Sequence, residues 1–261
     1  MNVHIPARDL ARAGAVAKGP ILTILHQETS TPGRVGQILR ARGHRLEIRR
    51  PALGCPLPDD LSAYAGLVVF GGPMSANDTD PYIREEMALL ERALAADLPT
   101  FGICLGAQLL VRALGGRVAA RDDSFAEIGW YPLKATGAGR AFTSRWPRVA
   151  YQWHREGFDL PHGATLLAAG DAYPNQAFSY GSALAVQFHA ELTLAMMCRW
   201  TVKGAHRFDL PGAQACRNAH LRNRLLHDAP LRAWLEDALM AQFGTGARRS
   251  QMEHRALRLS A

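Results

Sequence analysis

The segment from Pro99 to Gly116, PTFGICLGAQLLVRALGG, constrains the fold more than any other part of the sequence. Its first five residues form a short apolar run, which is typical of a buried strand, and a helical pattern follows from Leu105 until two glycines end it. Cys104 lies at the junction, between two glycines. A strand that turns sharply into a helix is characteristic of α/β proteins, so we expect a parallel sheet covered by helices.

Similar apolar runs and helical segments occur on both sides of this junction. ILTIL (Ile21 to Leu25) and GLVVF, which ends at Phe70, read as further strands. A helix is predicted from Pro81, because proline fits a first helical turn, and its apolar residues share one face: Ile83, Met87, Leu90 and Leu94. Between Trp130 and Phe188, short β-like runs separated by turn residues predict antiparallel strands at the far edge of the sheet.

Length and composition favour a single soluble domain. A chain of 261 residues with 48% hydrophobic and 20% charged residues can bury a substantial core. We expect a flexible N-terminal extension at 1–19, the domain at 20–243 with C-terminal helices from about residue 193, and a basic tail at 244–261. The sequence contains neither a long apolar run nor a secretory signal pattern, so we expect a cytoplasmic protein.

Cysteine and charge patterns narrow the expected ligands. The four cysteines are scattered without metal-ligand spacing, so neither a disulfide scaffold nor a metal site is indicated, and we expect no cofactor. Most of the formal charge of +7 falls in the C-terminal quarter, where a nucleic-acid surface or an acidic partner is one interpretation. The other, which we favour, is the solvated side of amphipathic helices, because Arg222, Arg224 and Arg232 alternate with leucines. We therefore expect neither nucleic-acid nor membrane binding. The leucines that alternate with these arginines are Leu221, Leu225, Leu226 and Leu231.

The G-x-C-x-G pattern around Cys104 predicts a nucleophile elbow. In such a turn the side chains two residues before and after the nucleophile would collide with neighbouring backbone, so glycine at 102 and 106 is required. The helix N-terminus would favour the thiolate of Cys104 over its thiol. The alternative is an inert cysteine of the core.

A base and an oxyanion site complete this chemistry. His189 follows the apolar run SALAVQF, and Glu191 lies two residues further, on the same face if the backbone is extended, so its carboxylate could orient the His189 ring. A chance surface pair is the alternative for His189 and Glu191 alone. The backbone N–H of Leu105 and the Gly71-Gly72-Pro73 segment are candidate oxyanion donors, although Gly-Gly-Pro also marks an ordinary turn.

Six segments together resemble the class I glutamine amidotransferases, especially the stand-alone branch that is similar to the GMP synthase glutaminase domain. They run in consistent order between Ile21 and Met197. The segments are GGPMSANDTDPY (Gly71 to Tyr82), FGICLGAQLLVRALGG (Phe101 to Gly116), EIGWYPL (Glu127 to Leu133), YQWHREGFDLPHGA (Tyr151 to Ala164), NQAF (Asn175 to Phe178) and VQFHAE (Val186 to Glu191).

The resemblance implies a single flavodoxin-like α/β/α domain, a three-layer sandwich with a mostly parallel central sheet. It implies hydrolysis of the γ-amide of glutamine through a γ-glutamyl thioester on Cys104, with His189 serving as acid and then as base. By motif position, Gln108 would contact the substrate, and His154 would lie near the active site. Gly72 and Leu105 would be the oxyanion pair.

The sequence departs from a full GMP synthase after Glu191, where no Gly-rich phosphate loop of a synthetase domain follows. Ammonia from glutamine would then need a separate synthetase or acceptor subunit, or the natural substrate is another γ-glutamyl small molecule. Three hypotheses remain open from the sequence: a glutamine-hydrolysing amidotransferase, a γ-glutamyl peptidase with the same Cys-His-Glu triad, and a non-catalytic regulatory protein on this fold.

Overall fold

The structure is a computed structural model that describes residues 19–244. The expected N-terminal extension, apart from Gly19, and the expected basic tail, apart from Gly244, lie outside the described residues. The boundaries at 20 and 243 therefore stay predictions.

Strands and helices alternate through the first half of the described chain. They are β1 (Ile21–Ile24), α1 (Gly33–Ala41), β2 (Leu46–Arg49), β3 (Gly66–Val69), α2 (Pro81–Ala95), β4 (Thr100–Ile103) and α3 (Leu105–Ala113). The second half contains β5 (Val118–Ala120), β6 (Glu127–Pro132), β7 (Lys134–Ala135), α4 (Gly137–Phe142), β8 (Val149–His154), β9 (Glu156–Phe158), β10 (Thr165–Ala169), β11 (Ala177–Tyr180), β12 (Ala183–Val186), α5 (Leu194–Lys203) and α6 (Arg217–Phe243). Short 3-10 helices occupy Pro51–Leu53 and Ala205–Asp209.

The central sheet, as described, has eight strands in the order β2-β1-β3-β4-β12-β11-β10-β7. The five strands from β2 to β12 pair in parallel, and β11, β10 and β7 extend the sheet by antiparallel pairing. This confirms both the mostly parallel sheet and the predicted antiparallel edge. Two smaller antiparallel pairs, β5 with β9 and β6 with β8, lie outside the main sheet.

Strand β3 shows how the sheet separates two cores. Leu67 and Val69 belong to the core formed with α2 and α3, whereas Val68 and the following Phe70 belong to the core formed with α1, α5 and α6. Successive side chains of a strand point to opposite faces, so one apolar run supplies both cores. The result is the three-layer flavodoxin-like sandwich that the resemblance implied.

Helix α2 begins at Pro81, as predicted, with Asp80 as its N-cap residue. Ile83 and Leu90 on its apolar face are fully buried. Glu86 on the same helix is also fully buried, which the apolar pattern did not predict.

Helix α6 corrects the interpretation of the C-terminal leucines. Leu231 is buried, but Leu225 and Leu226 are 81% and 69% exposed. The helix runs for 27 residues through Pro230, and from Leu231 onward most of its buried residues pack against the sheet. In the first half His220 is fully buried and Leu221 packs against the core, whereas Leu225 and Leu226 lie on the outer side, so the leucine spacing there does not identify a buried face. Within residues 19–244, no helix is long and apolar enough to cross a membrane.

Candidate active site

The backbone at Cys104 forms a strained turn between β4 and α3. Cys104 has φ 51° and ψ −106°, which a non-glycine residue adopts only when its surroundings enforce it. A Cβ atom at Gly106 would lie 2.1 Å from the carbonyl oxygen of Val69, and one at Gly102 would lie 2.8 Å from that of Gly106. No side chain fits at either position, which is the steric reason given above for the two glycines.

Cys104 lies beside His189 at the carboxyl ends of β4 and β12, which are parallel neighbours in the sheet. A Cβ atom on Gly71, which follows β3, would lie 2.9 Å from Cε1 of His189 and 3.4 Å from Cβ of Cys104. The thiol also accepts a hydrogen bond from Nε2 of Gln187 at 3.6 Å. Three adjacent strands therefore bring the predicted nucleophile, the predicted base and the glycine loop together.

His189 and Glu191 form a buried pair, 4% and 2% exposed, with 2.7 Å between Nδ1 and Oε1. The expected extended backbone is wrong, because β12 ends at Val186 and Glu191 lies in a turn. The chain leaves the sheet there: the N–H of His189 donates to the carbonyl of Tyr151 in β8, and the carbonyl of Glu191 accepts from the N–H of Arg34 in α1. Tertiary contacts, not strand geometry, hold the pair.

The charges around His189 favour its protonated form. Burial lowers the pKa of His189, but Glu191 and Cys104 outweigh burial and raise that pKa from 6.5 to about 10. The ring of Trp200 meets the His189 ring edge-on, with 4.9 Å between centroids. At neutral pH the His189 ring is therefore an imidazolium that lies between Glu191 and Cys104.

The two predicted oxyanion donors lie next to Cys104. Leu105 is the first residue of α3, where a backbone N–H has no partner within the helix. Gly72 lines the cavity that contains Cys104. Their action as oxyanion donors stays a prediction.

A buried pair that the sequence analysis missed holds the glycine loop. Nδ1 of His26 lies 3.1 Å from the carbonyl oxygen of Gly71 and is the donor, because a carbonyl can only accept a hydrogen bond. Nε2 of the same ring lies 2.9 Å from Oε2 of Glu86. The side chains of His26 and Glu86 are both fully buried. A histidine two residues after the end of β1 and a glutamate on the apolar side of α2 were the available sequence signals.

The predicted substrate residues Gln108 and His154 lie behind the thiol and do not line its cavity. Nε2 of Gln108 donates to the carbonyl of Glu156 at 2.9 Å and to Oε1 of Gln187 at 3.2 Å. His154 contacts the same carbonyl through Nδ1 at 3.0 Å and Glu127 through Nε2 at 3.0 Å. Both side chains support the turn from β8 to β9, and their contact with substrate stays a prediction. Gln187, within VQFHAE, is a further residue that the sequence analysis missed.

The cavity that contains Cys104 has a volume of about 240 Å³. The glycine loop, Cys104 and His189 form what we call its floor. Side chains of α5 and the following 3-10 helix, together with a tryptophan of β8, form what we call its wall: Trp153, Met196, Arg199, Trp200, Lys203 and Arg207. The described residues contain no cluster of three or more His, Cys, Asp or Glu side chains suited to a metal ion.

The fold and this site are those of an α/β protein with a cysteine at a nucleophile elbow. The family model for glutamine amidotransferase class-I matches residues 33–198, which include the elbow, His189 and Glu191. The chain therefore belongs to the class I glutamine amidotransferase family.

Curated relatives agree with this assignment. The glutamine amidotransferase-like protein YfeJ of Salmonella typhimurium is 33% identical over 66% of this chain and 75% of its own length. A GMP synthase (glutamine-hydrolyzing) of Porphyromonas gingivalis is 33% identical over 52% of this chain, but that match spans only 26% of the synthase. Gamma-glutamyl peptidase 5 of Arabidopsis thaliana is 32% identical over 52% of this chain and 57% of its own length.

Solved structures agree as well. The crystal structure of a glutamine amidotransferase from Thermotoga maritima superposes with a TM-score of 0.78 at 28% identity, covering 87% of this chain and 99% of that one. The likeness thus extends over nearly all of the described fold.

Proposed function

We propose that this protein hydrolyses the γ-amide of glutamine through a γ-glutamyl thioester, with Cys104 as nucleophile, His189 as acid and base, and Glu191 as the residue that orients His189. The observation that carries the proposal is the buried His189–Glu191 pair beside a cysteine in a strained elbow. Membership of an amidotransferase family supports the same chemistry.

In the acylation half, the thiolate of Cys104 attacks the γ-carbonyl carbon, and the carbonyl oxygen becomes an oxyanion. In this proposal the N–H groups of Leu105 and Gly72 stabilise that charge. When the carbon–nitrogen bond breaks, the imidazolium of His189 gives its proton to the departing nitrogen, which leaves as ammonia. The high pKa of His189 keeps this proton available at neutral pH.

In the deacylation half, the thioester no longer carries the negative charge of the thiolate. One of the two anions that raise the pKa of His189 is then absent, so the ring more readily stays neutral and can take a proton from water. The resulting hydroxide attacks the thioester, glutamate leaves, and the thiolate and imidazolium are restored. Glu191 holds the ring through Nδ1 in both halves.

A γ-glutamyl peptidase with the same triad is the second candidate. It is favoured by the similarity to Gamma-glutamyl peptidase 5 and by the cationic side chains on the cavity wall. If glutamine is the substrate, we propose a separate synthetase subunit as acceptor of the ammonia, in analogy to the GMP synthases, whose chains are much longer.

Ammonia release from glutamine by the purified protein, with Cys104→Ala as control, tests the first candidate. Release that requires Cys104 supports the glutaminase. Turnover of γ-glutamyl dipeptides without turnover of glutamine supports the peptidase. If neither substrate reacts and a thiol reagent does not label Cys104 faster than the exposed Cys55, both catalytic proposals are wrong and the regulatory alternative stands.

A further inference from the structure

The wall of the cavity carries three side chains with permanent positive charge, Arg199, Lys203 and Arg207. Among the ion pairs of residues 19–244, none includes any of the three. Most other arginines of that part of the chain also make no ion pair, so the feature that sets these three cations apart is their place in the cavity. Within residues 19–244, no carboxylate forms an ion pair with the cations of the wall.

Arg207 is the most informative of the three. It is only partly exposed, and burial lowers its pKa, with a further lowering by Arg155 and an opposing effect of Cys104. No carboxylate contributes to this shift in pKa. A guanidinium that is partly removed from water without a carboxylate partner is unfavourable in the empty protein, and a bound anion relieves that cost.

Glutamine brings no net charge to this wall. Glutamine is a zwitterion at neutral pH, so its ammonium and carboxylate cancel, and the thiolate of Cys104 is already matched by His189. A γ-glutamyl compound whose leaving amine carries a carboxylate has a net negative charge. A cleft lined by one sign of charge concentrates ligands of the opposite sign, and a guanidinium binds a carboxylate with two parallel hydrogen bonds.

We propose that Arg207, with Arg199 and Lys203, recognises a carboxylate on the leaving amine, so that the preferred substrates are γ-glutamyl amides of amino acids or short peptides. This inference rests on the proposed cleavage at Cys104, and it selects the second candidate function, the γ-glutamyl peptidase, over the glutaminase. The rings of Trp153 and Trp200, which also line the cavity, provide apolar surface for the carbon atoms of that amine. With γ-glutamylglycine, water cleaves the amide to yield glutamate and glycine, and no other reactant is required.

The test compares γ-glutamylglycine with γ-glutamylglycinamide, which are similar in size but carry a carboxylate and a neutral carboxamide, respectively, on the leaving amine. We expect the protein to favour the acid in kcat/KM by about tenfold, in line with a hydrogen bond to a charged group. Arg207→Gln should reduce that preference to less than about twofold, mainly through a lower kcat/KM with the acid. Arg222→Gln removes an exposed positive charge of α6 outside the cavity, and this control should keep the full preference.

The same pair of compounds is measured for binding to the Cys104→Ala protein by calorimetry, which needs no turnover. The acid should bind more tightly than the amide, and Arg207→Gln should abolish this difference. That result supports the inference even if neither compound is cleaved. Absence of cleavage would refute only the proposed function. Equal binding and equal turnover of acid and amide would overturn the inference. It would also be overturned if Arg222→Gln reduced the preference as much as Arg207→Gln. Lys203→Gln, at an exposed position, provides a second wall variant if Arg207→Gln fails to fold.

Discussion

The floor and the wall of the cavity are built in different ways. On the floor, Gly71, Cys104 and His189 meet at the ends of adjacent strands, with spacings so short that a single methyl group would collide. On the wall, long cationic side chains extend from α5 and a short 3-10 helix, and they are exposed or only partly buried. Backbone sterics define the floor, whereas flexible side chains define the wall.

This difference separates chemistry from specificity. Packed backbone tolerates almost no change, so the geometry of thiol, base and oxyanion loop is retained or lost as a unit. Partly exposed side chains can change with little effect on stability, so the wall can be adapted to different leaving groups. We therefore expect variants of the floor to affect every substrate, and variants of the wall to affect only some.

The largest effect is expected from Cys104→Ala. Without the thiol no thioester forms, so hydrolysis of glutamine and of γ-glutamyl peptides should both fall by a factor on the order of 10⁴ or more. Steady-state ammonia and amino-acid release measure this. Cys55→Ala, at an exposed site, is the matched control, and a similar loss in both variants would contradict the assignment of Cys104.

Glu191→Gln should lower kcat by about 10²-fold for all substrates, because the base loses its negatively charged partner. The pKa of His189 should move down from about 10 toward 6.5, as followed by NMR of the ring. An unchanged pKa would mean that Glu191 does not govern the charge of His189.

The same variant should change how stability depends on pH. Because folding raises the pKa of His189 above 6.5, the stabilisation from its charge is complete below pH 6.5 and is lost as pH rises through about 10. Denaturant unfolding at several pH values should show this loss in the original protein and a smaller one in Glu191→Gln. If the free energy of unfolding depended on pH equally in the two proteins, Glu191 would not be the cause of this pH dependence.

Gly71→Ala should reduce kcat by about tenfold or more for every substrate, because the new methyl group meets His189 and shifts it away from Cys104. Gly137→Ala is the matched control, since a Cβ atom there has no neighbour within 4 Å. Full activity of Gly71→Ala would show that the floor accepts a methyl group in spite of the short distances between Gly71, His189 and Cys104.

The smallest effect is expected for the stability of wall variants. Lys203→Gln should change the free energy of unfolding by less than about 0.5 kcal/mol, because the residue is exposed and makes no ion pair among the described residues. Gly106→Ala, on the floor side, should lower the free energy of unfolding several-fold more than Lys203→Gln does. The reason is that its methyl group would lie 2.1 Å from the carbonyl oxygen of Val69. Similar stabilities for the two variants would remove the distinction between floor and wall.

Several features were readable from the sequence because a few neighbouring residues determine them. The G-x-C-x-G spacing predicted a turn that excludes side chains at 102 and 106, and helix α2 begins at Pro81 as its pattern indicates. The exposed Leu225 and Leu226 were misread, because leucine spacing alone does not say which side of a helix faces the core. Glu86 was missed, because a charged residue on an apolar face is expected to reach solvent.

The sequence by itself determined the strand, elbow and helix around Cys104, since local sterics and periodicity act over a few residues. Only the tertiary structure decided which distant groups meet the thiol. The sheet order β3-β4-β12 brings Gly71 and His189 to Cys104, and packing of α2 brings Glu86 to His26. The 3-10 helix places Arg207 on the cavity wall. Such meetings depend on how strands and helices are arranged in space, and no local pattern of residues encodes that arrangement.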